Sequence, residues 1–244
     1  YGGLSLKNIR LETAEGSGYL GLEACDGVEA VTVLVTAAAK PKHSAFDMML
    51  PQKSAPTLVR ELERAAREGI EARLGKSGNH AQLEIGEDTV IRLPLSQGSF
   101  PDTSKLMPPE FLRFAEVARL PMLEALGRAD RFSDKGVVRL GWHGTRVKVT
   151  AYKQGEGSFS EPVAMGSNGG LEEETEMLVS SKQLLSHLGQ LRDETVLLRF
   201  GSDNEKHEMK LAVFSSEPEC KYVTMQFHKG SAPMENIEEY WEES

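Results

Sequence analysis

The sequence contains Met49-Leu50-Pro51 and, well downstream, Met177-Leu178-Val179, two short apolar stretches that each end a strand just before a helix. Ahead of each lies another strand-like stretch, Ile9-Arg10-Leu11 in one case and Val138-Arg139-Leu140 in the other. The two pairs are related by an offset of 128 or 129 residues. This self-similarity predicts two copies of one domain.

The helix that follows the first of these strands is amphipathic. Its apolar residues recur every three or four positions, as one buried face demands: Ala55, Leu58, Val59, Leu62, Ala65 and Ala66. Its opposite side carries Arg60, Arg64 and Arg67. The copy in the second half is predicted over 181–191, with Leu184, Leu185, Leu188 and Leu191 facing inward. Ser180 followed by Gln183 predicts a capping box at its start.

Three strand-like segments follow each helix. In the first half they are predicted at 70–74, 80–85 and 89–95, and in the second at 195–200, 208–213 and 222–227. The repeating unit is therefore α+β, with helices packed on antiparallel sheets.

The second half also opens with a unit that has no counterpart in the first. A strand is predicted near 110–118 and a helix over 121–132, where Pro121 fits the first helical turn. The matching positions of the first half fall before Tyr1, so we expect the sequence to be cut there and the first domain to expose apolar surface. The predicted domains are 1–108 and 109–229, joined near Pro108-Pro109 and followed by a tail at 230–244.

The net charge of −9 is unevenly spread over the chain. Residues 1–108 hold 12 basic and 14 acidic side chains, and residues 109–229 hold 16 and 18. The tail adds five glutamates and no Lys or Arg, together with Ile237, Tyr240 and Trp241. The body is therefore nearly balanced, and its cations can gather on one face even though an acidic chain is at first sight a poor partner for DNA.

Several function classes find no support in the sequence. Cys25 and Cys220 lie too far apart for a metal knuckle, and no membrane span or signal peptide is present, so we expect a cytoplasmic protein. The histidines and glycine-rich stretches lack catalytic, metal-binding or phosphate-loop spacing. We therefore predict no cofactor, no metal and no enzymatic activity. An enzyme with an unrecognised site stays open as an alternative.

Several motifs, in the right order over about 4–229, resemble the bacterial β sliding clamps, the processivity subunit of the replicative DNA polymerase. They are Ala24-Cys25-Asp26-Gly27, Phe100-Pro101-Asp102 with Leu106-Met107-Pro108, Leu126-Gly127-Arg128-Ala129, Val137-Val138-Arg139-Leu140, Ser181-Lys182-Gln183-Leu184-Leu185 and Tyr222-Val223-Thr224-Met225. The resemblance implies the DNA-clamp fold, with this chain supplying the middle and C-terminal domains of a homodimeric ring that encircles duplex DNA. A two-domain clamp that closes as a trimer, as in eukaryotes and archaea, is the alternative within the same class.

The resemblance also implies which residues meet partners. The DNA-facing set would be Arg60, Arg64, Arg67, Arg128, Arg131 and Lys182. The alternative is a solvated face in which Glu61, Glu63 and Glu124 balance these cations. A pocket between the two domains would bind short linear peptides of polymerases and of the clamp loader. It would use Leu6, Cys25, Gly27, Pro101, Leu106, Ser180, Gln183, Val223, Met225 and Phe227, unless these apolar residues are plain core. The acidic tail is a further candidate occupant of that pocket.

Overall fold

The computed structural model describes residues 8–13, 19–25, 29–36, 46–103, 113–169, 175–203, 208–216 and 219–225. The chain divides into two compact units, Tyr1–Leu106 and Met107–Ser244. Both units combine helices with antiparallel strands, so the predicted α+β class is confirmed. No described helix has the length and apolar character needed to cross a membrane.

The first unit contains seven described strands and one α-helix. Strands β1 (Asn8–Thr13), β2 (Tyr19–Cys25), β3 (Glu29–Thr36) and β4 (Phe46–Pro51) pair in the order β3-β2-β1-β4. A short 3-10 turn leads into α1 (Ala55–Glu68), which ends where Gly69 takes the left-handed conformation at φ 65. Strands β5 (Ala72–Ser77), β6 (His80–Ile85) and β7 (Thr89–Pro94) form a second antiparallel sheet.

The second unit begins with the strand and helix that the sequence predicts for it. These are β8 (Arg113–Ala118) and α2 (Arg119–Arg131), in whose first turn Pro121 lies. They are followed by β9 (Val137–His143), β10 (Arg146–Lys153), β11 (Gly157–Gly169) and β12 (Thr175–Ser180). Helix α3 (Ser181–Gln190) and strands β13 (Thr195–Asp203), β14 (Glu208–Ser216) and β15 (Glu219–Met225) complete the described part.

Strand β11 joins two halves of the antiparallel sheet in this unit. It pairs with β10 through 157–164 and then with β8, and its register shifts between Met165 and Asn168. The strand order is therefore β12-β9-β10-β11-β8-β13-β14-β15. The core contains Trp142 of β9 and Phe200 of β13, whose ring centroids lie 4.1 Å apart. Helices α2 and α3 pack against each other on this framework.

The strand register establishes the internal repeat more closely than the sequence does. Ile9 pairs with Leu50, and Val138 pairs with Val179, so both strands of the second unit lie 129 positions after their counterparts. The residue equivalent to Met177 is thus Met48, which corrects the one-residue shift in the sequence comparison. Within the described residues, the first unit contains no counterpart of β8 and α2.

The predicted apolar stripe of α1 is only half right. Leu58 and Ala65 are buried, but Val59 is 52% exposed and Leu62 is 38% exposed, and Ala66 is exposed as well. In α3, Leu184 and the residue one turn later, Leu188, are both fully buried. The difference has a packing cause, because α2 lies against α3, and no described element of the first unit takes that place beside α1. The exposed side chains of Val59, Leu62 and Ala66 agree with the expectation that the first unit exposes apolar surface.

Candidate nucleic-acid interface

The three arginines predicted on α1 differ in their surroundings. Arg60 donates from Nε to Oε1 of Glu61 at 3.1 Å, and Arg64 Nη2 lies 2.9 Å from Oε2 of the same carboxylate. The Glu61 side chain is only 13% exposed, so one shielded carboxylate holds two guanidinium groups. Arg67 is exposed and forms no ion pair within the described part of the chain. The predicted basic ridge therefore carries less free charge than its three arginines suggest.

Helix α2 repeats this contrast between a held cation and a free one. Arg128 donates from Nε and Nη2 to the two carboxylate oxygens of Glu161 on β11, at 2.7 and 2.6 Å. Glu124, one turn earlier on α2, approaches Arg128 Nη2 at 3.7 Å. Hydrogen bonding with Glu161 raises the pKa of Arg128, and that with Arg128 lowers the pKa of Glu161. Arg131 is exposed, and no described residue forms an ion pair with it.

Lys182 lies in the first turn of α3, beside the loop that follows α2. Gly136 in that loop has φ 66, and a β-carbon there would lie 3.6 Å from Cε of Lys182. The next residue back, Ser181, is fully buried, and its hydroxyl lies within hydrogen-bond distance of Asp130 Oδ1 and of the Gly136 carbonyl. These contacts hold the start of α3 against the end of α2 and thereby position Lys182, whose side chain is exposed.

The six predicted DNA-facing cations therefore form two classes. Arg60, Arg64 and Arg128 are held by carboxylates, whereas Arg67, Arg131 and Lys182 are free among the described residues. All six lie on helices, and a helix-borne cation can contact phosphates without reading base edges. The alternative of a solvated face balanced by acids is partly right, since Glu61 and Glu124 do lie beside the arginines.

Of the ten residues predicted to bind peptides, the structure describes the side chains of four. In the first unit Cys25 is buried at the end of β2 and Pro101 is half-buried. Thr103, two residues after Pro101, donates to Glu23 Oε1 of β2 at 3.1 Å, which ties this segment to that strand. In the second unit Ser180 Oγ accepts from the backbone N–H of Gln183 at 3.3 Å, which confirms the Ser180 half of the predicted capping box of α3.

The other six predicted peptide-binding residues are less fully described. Val223 and Met225 lie on β15, opposite Ala212 and Lys210. Leu6, Gly27, Leu106 and Phe227 lie outside the described residues, as do Pro108-Pro109 and the tail. Whether the ten residues form one site stays a prediction.

Sequence reasoning named Glu61, Glu124 and the Ser180 cap, but it missed two partners that are distant in sequence. Glu124 and Arg128 are four residues apart, a visible helix pair, but Glu161 lies 33 positions away from Arg128 and carries no such signal. The contacts of Arg119 are another example, since its guanidinium donates to the carbonyl of Leu188 in the last turn of α3 and to that of Asp193 in the segment that follows. In the described part of the chain, no group of three or more His, Cys, Asp or Glu side chains could hold a metal ion.

Of the comparisons with known proteins, only that with solved structures finds matches. No protein-family model matches the sequence. No curated protein matches it either. A DNA polymerase III β sliding clamp from Pseudomonas aeruginosa bound to griselimycin superposes with a TM-score of 0.77 at 23% identity, over 91% of this chain and 57% of that protein.

Two further clamps give the same result. The sliding clamp of Bacillus subtilis has a TM-score of 0.77 at 15% identity, over 92% of this chain and 57% of its own. The clamp of C. crescentus, with polyethylene glycol bound at its putative β-motif tethering region, has a TM-score of 0.76 at 21% identity, over 91% and 58%. The chain thus has the sliding-clamp fold that the resemblance implies, and it spans less than two thirds of each of these proteins.

Proposed function

We propose that this chain is part of a DNA sliding clamp, a protein that encircles duplex DNA and tethers the replicative polymerase for processive synthesis. The clamp fold of the two repeated units is the observation that carries the proposal. In this role the protein performs no catalysis, and its work is to keep other enzymes on the template. The intact protein closes as a homodimeric ring in the cytoplasm.

The helix cations support the DNA part of the proposal. Arg67, Arg131 and Lys182 are exposed and can meet phosphate oxygens on any sequence. Three such contacts alone make a weak complex. It is also salt-sensitive, because each contact releases counterions from the DNA and added salt opposes that release. Durable attachment then has to come from closure around the duplex and not from the contacts themselves.

The proposal also gives the chain protein partners. Polymerase and clamp-loader subunits bind it through short linear peptides with aliphatic and aromatic anchors, a common use of extended segments in recognition. The region described as a β-motif tethering region in the C. crescentus clamp supports a search for such a site here. Among the predicted peptide-binding residues with described side chains, Cys25 is buried, whereas Pro101, Ser180 and Gln183 are half-buried and keep surface that a peptide could contact.

The direct test is retention on circular DNA. The intact protein is incubated with nicked circular DNA, ATP and an extract of its own cells as the source of a loader, and DNA-bound protein is isolated by gel filtration in high salt. We expect protein to stay on the circle and to leave after a restriction enzyme linearises it. Topological linkage is insensitive to counterions, whereas phosphate contacts are not.

Two results would count against a clamp. Salt release from circle and line alike indicates simple electrostatic binding, and retention on both indicates tight contact without encirclement. Bovine serum albumin in place of the protein gives the background level of the column.

A further inference from the structure

The ion pair between Arg128 and Glu161 bears on how tightly α2 can hold a DNA phosphate. Arg128 and Glu161 form a bidentate contact in which Nε donates to Oε2 at 2.7 Å and Nη2 donates to Oε1 at 2.6 Å. This is the geometry in which a guanidinium also grips a phosphate. Glu161 therefore occupies on Arg128 the place that a DNA phosphate needs.

Glu161 is well placed to hold this position. It lies within β11, in the part that pairs with β10, directly opposite Val149. Its side chain is 29% exposed, so the strand and its neighbours restrict its movement more than they would for a residue in a loop. Arg128 can leave it, since an exposed ion pair is worth little in water.

We propose that Glu161 is an internal competitor of DNA phosphate for Arg128, so that contact of α2 with DNA exchanges one ion pair for another. Glu61 acts in the same way on α1, where its carboxylate holds Arg60 and Arg64. Such exchange keeps each phosphate contact weak, which suits a protein that must move along the duplex. The inference rests on the proposed function, because it assigns a role to the carboxylates of the same surface.

The test is the variant E161Q, which removes the charge and keeps the size of the side chain. Binding of the purified chain to a short fluorescein-labelled duplex is measured by anisotropy over a series of salt concentrations. We expect E161Q to bind about two- to fivefold more tightly at low salt than the wild type, in line with the small cost of breaking an exposed pair. The plot of log K against log salt should steepen by up to about 0.9, the value for one added phosphate contact.

A matched control separates local release from a change in net charge. Glu156 lies in the turn between β10 and β11 and holds Lys153, with 2.6 Å between Nζ and Oε1. E156Q changes the net charge equally and also releases one cation, but that cation is not on α2. We expect E156Q to bind like the wild type. Equal gains in E156Q and E161Q would overturn the proposal.

The double variant R128A/E161Q tests whether Arg128 carries the gain. We expect it to bind no more tightly than R128A alone; a gain that survives the loss of Arg128 would overturn the proposal. The proposal would also be overturned if E161Q binds DNA no better than the wild type, or if neither protein binds. Retention of the wild-type protein on circular DNA is measured separately. A clamp without this exchange would be retained on the circle but would not gain affinity in E161Q, whereas a protein that is no clamp would not be retained. Thermal unfolding of each variant confirms that it folds.

Discussion

Arg139 and Glu176 lie diagonally across the paired strands β9 and β12, with 3.0 Å between Nη1 and Oε2. At the positions 129 residues earlier, Arg10 and Asp47 make the same contact between β1 and β4, at 3.0 Å. The two halves thus share a contact between side chains as well as a strand order. The duplication is visible in the chemistry of equivalent pairs, even where an arginine faces Asp in one unit and Glu in the other.

Loss of Arg10 should cost more than loss of Arg139. Arg10 contacts Glu12 at 2.7 Å and Glu23 at 3.1 Å besides Asp47, so R10M leaves three carboxylates beside one another without their cation. We expect R10M to lower the free energy of unfolding by about 1–2 kcal/mol and R139M by less than about 1 kcal/mol, because Arg10 joins three carboxylates in one network. Urea unfolding followed by circular dichroism measures both. Equal losses would show that the extra carboxylates contribute nothing.

A leucine of α3 and a leucine of α1 should also differ in how much they contribute to stability. Leu188 is fully buried beside α2, and we expect L188A to lower the free energy of unfolding by about 2–5 kcal/mol, as for other core leucines. Leu62, one turn after Leu58 in α1, is 38% exposed, and L62A should cost about 1 kcal/mol or less. The same urea titration compares the two. A loss in L62A as large as that in L188A would mean that the exposed face of α1 is covered in solution.

Much of the fold follows from local pattern, and the failures have a physical cause. The β6 range matches its prediction, and Ser180 caps α3 as its spacing to Gln183 indicates. Strand β5 was predicted at 70–74 but spans Ala72–Ser77, because Gly69 and Ile70 still belong to the hydrogen-bonded end of α1. Strand β15 is described over Glu219–Met225 and begins three residues before its prediction, because Glu219 already pairs with Ser216 of β14; the predicted positions 226 and 227 lie outside the described residues.

The candidate site is harder to predict from sequence, because charge pairing depends on tertiary structure. Spacing places Arg60, Arg64 and Arg67 on one side of a helix, and the structure agrees. Spacing does not reveal that Glu161 of β11 meets Arg128 of α2, because that contact depends on how the helix packs against the strand. The number of free cations could therefore be counted only in the folded chain.

His187 should make the second unit sensitive to acid. It is 8% exposed on α3, and burial lowers its pKa from 6.5 to about 4. Between these pH values His187 is protonated in the unfolded chain but neutral in the folded chain. The free energy of unfolding therefore falls as the pH drops from about 6.5 to about 4. The loss from this residue alone amounts to roughly 3 kcal/mol at most.

The contribution of His187 is measured as a difference between variants. Urea midpoints are recorded for the wild type and for H187L across that pH range, and we expect H187L to lose less stability on acidification. H80Q, which alters an exposed histidine on β6, should follow the wild type. Parallel curves for H187L and the wild type would show that folding does not change the pKa of His187.

The free cations and those held by carboxylates should contribute differently to the salt dependence of DNA binding. Within the described ranges no carboxylate pairs with Arg131 or Lys182, so each phosphate contact they make releases counterions in full. We expect R131A and K182A each to reduce the slope of log K against log salt by about 0.9 in magnitude, measured on a short duplex by anisotropy. R128A should reduce it less, because in the wild type Glu161 already neutralises that guanidinium. R73A is the control, since Arg73 lies on β5 beside Glu71 and not on a helix. If R128A reduces the slope as much as R131A does, the pairing with Glu161 does not persist in solution.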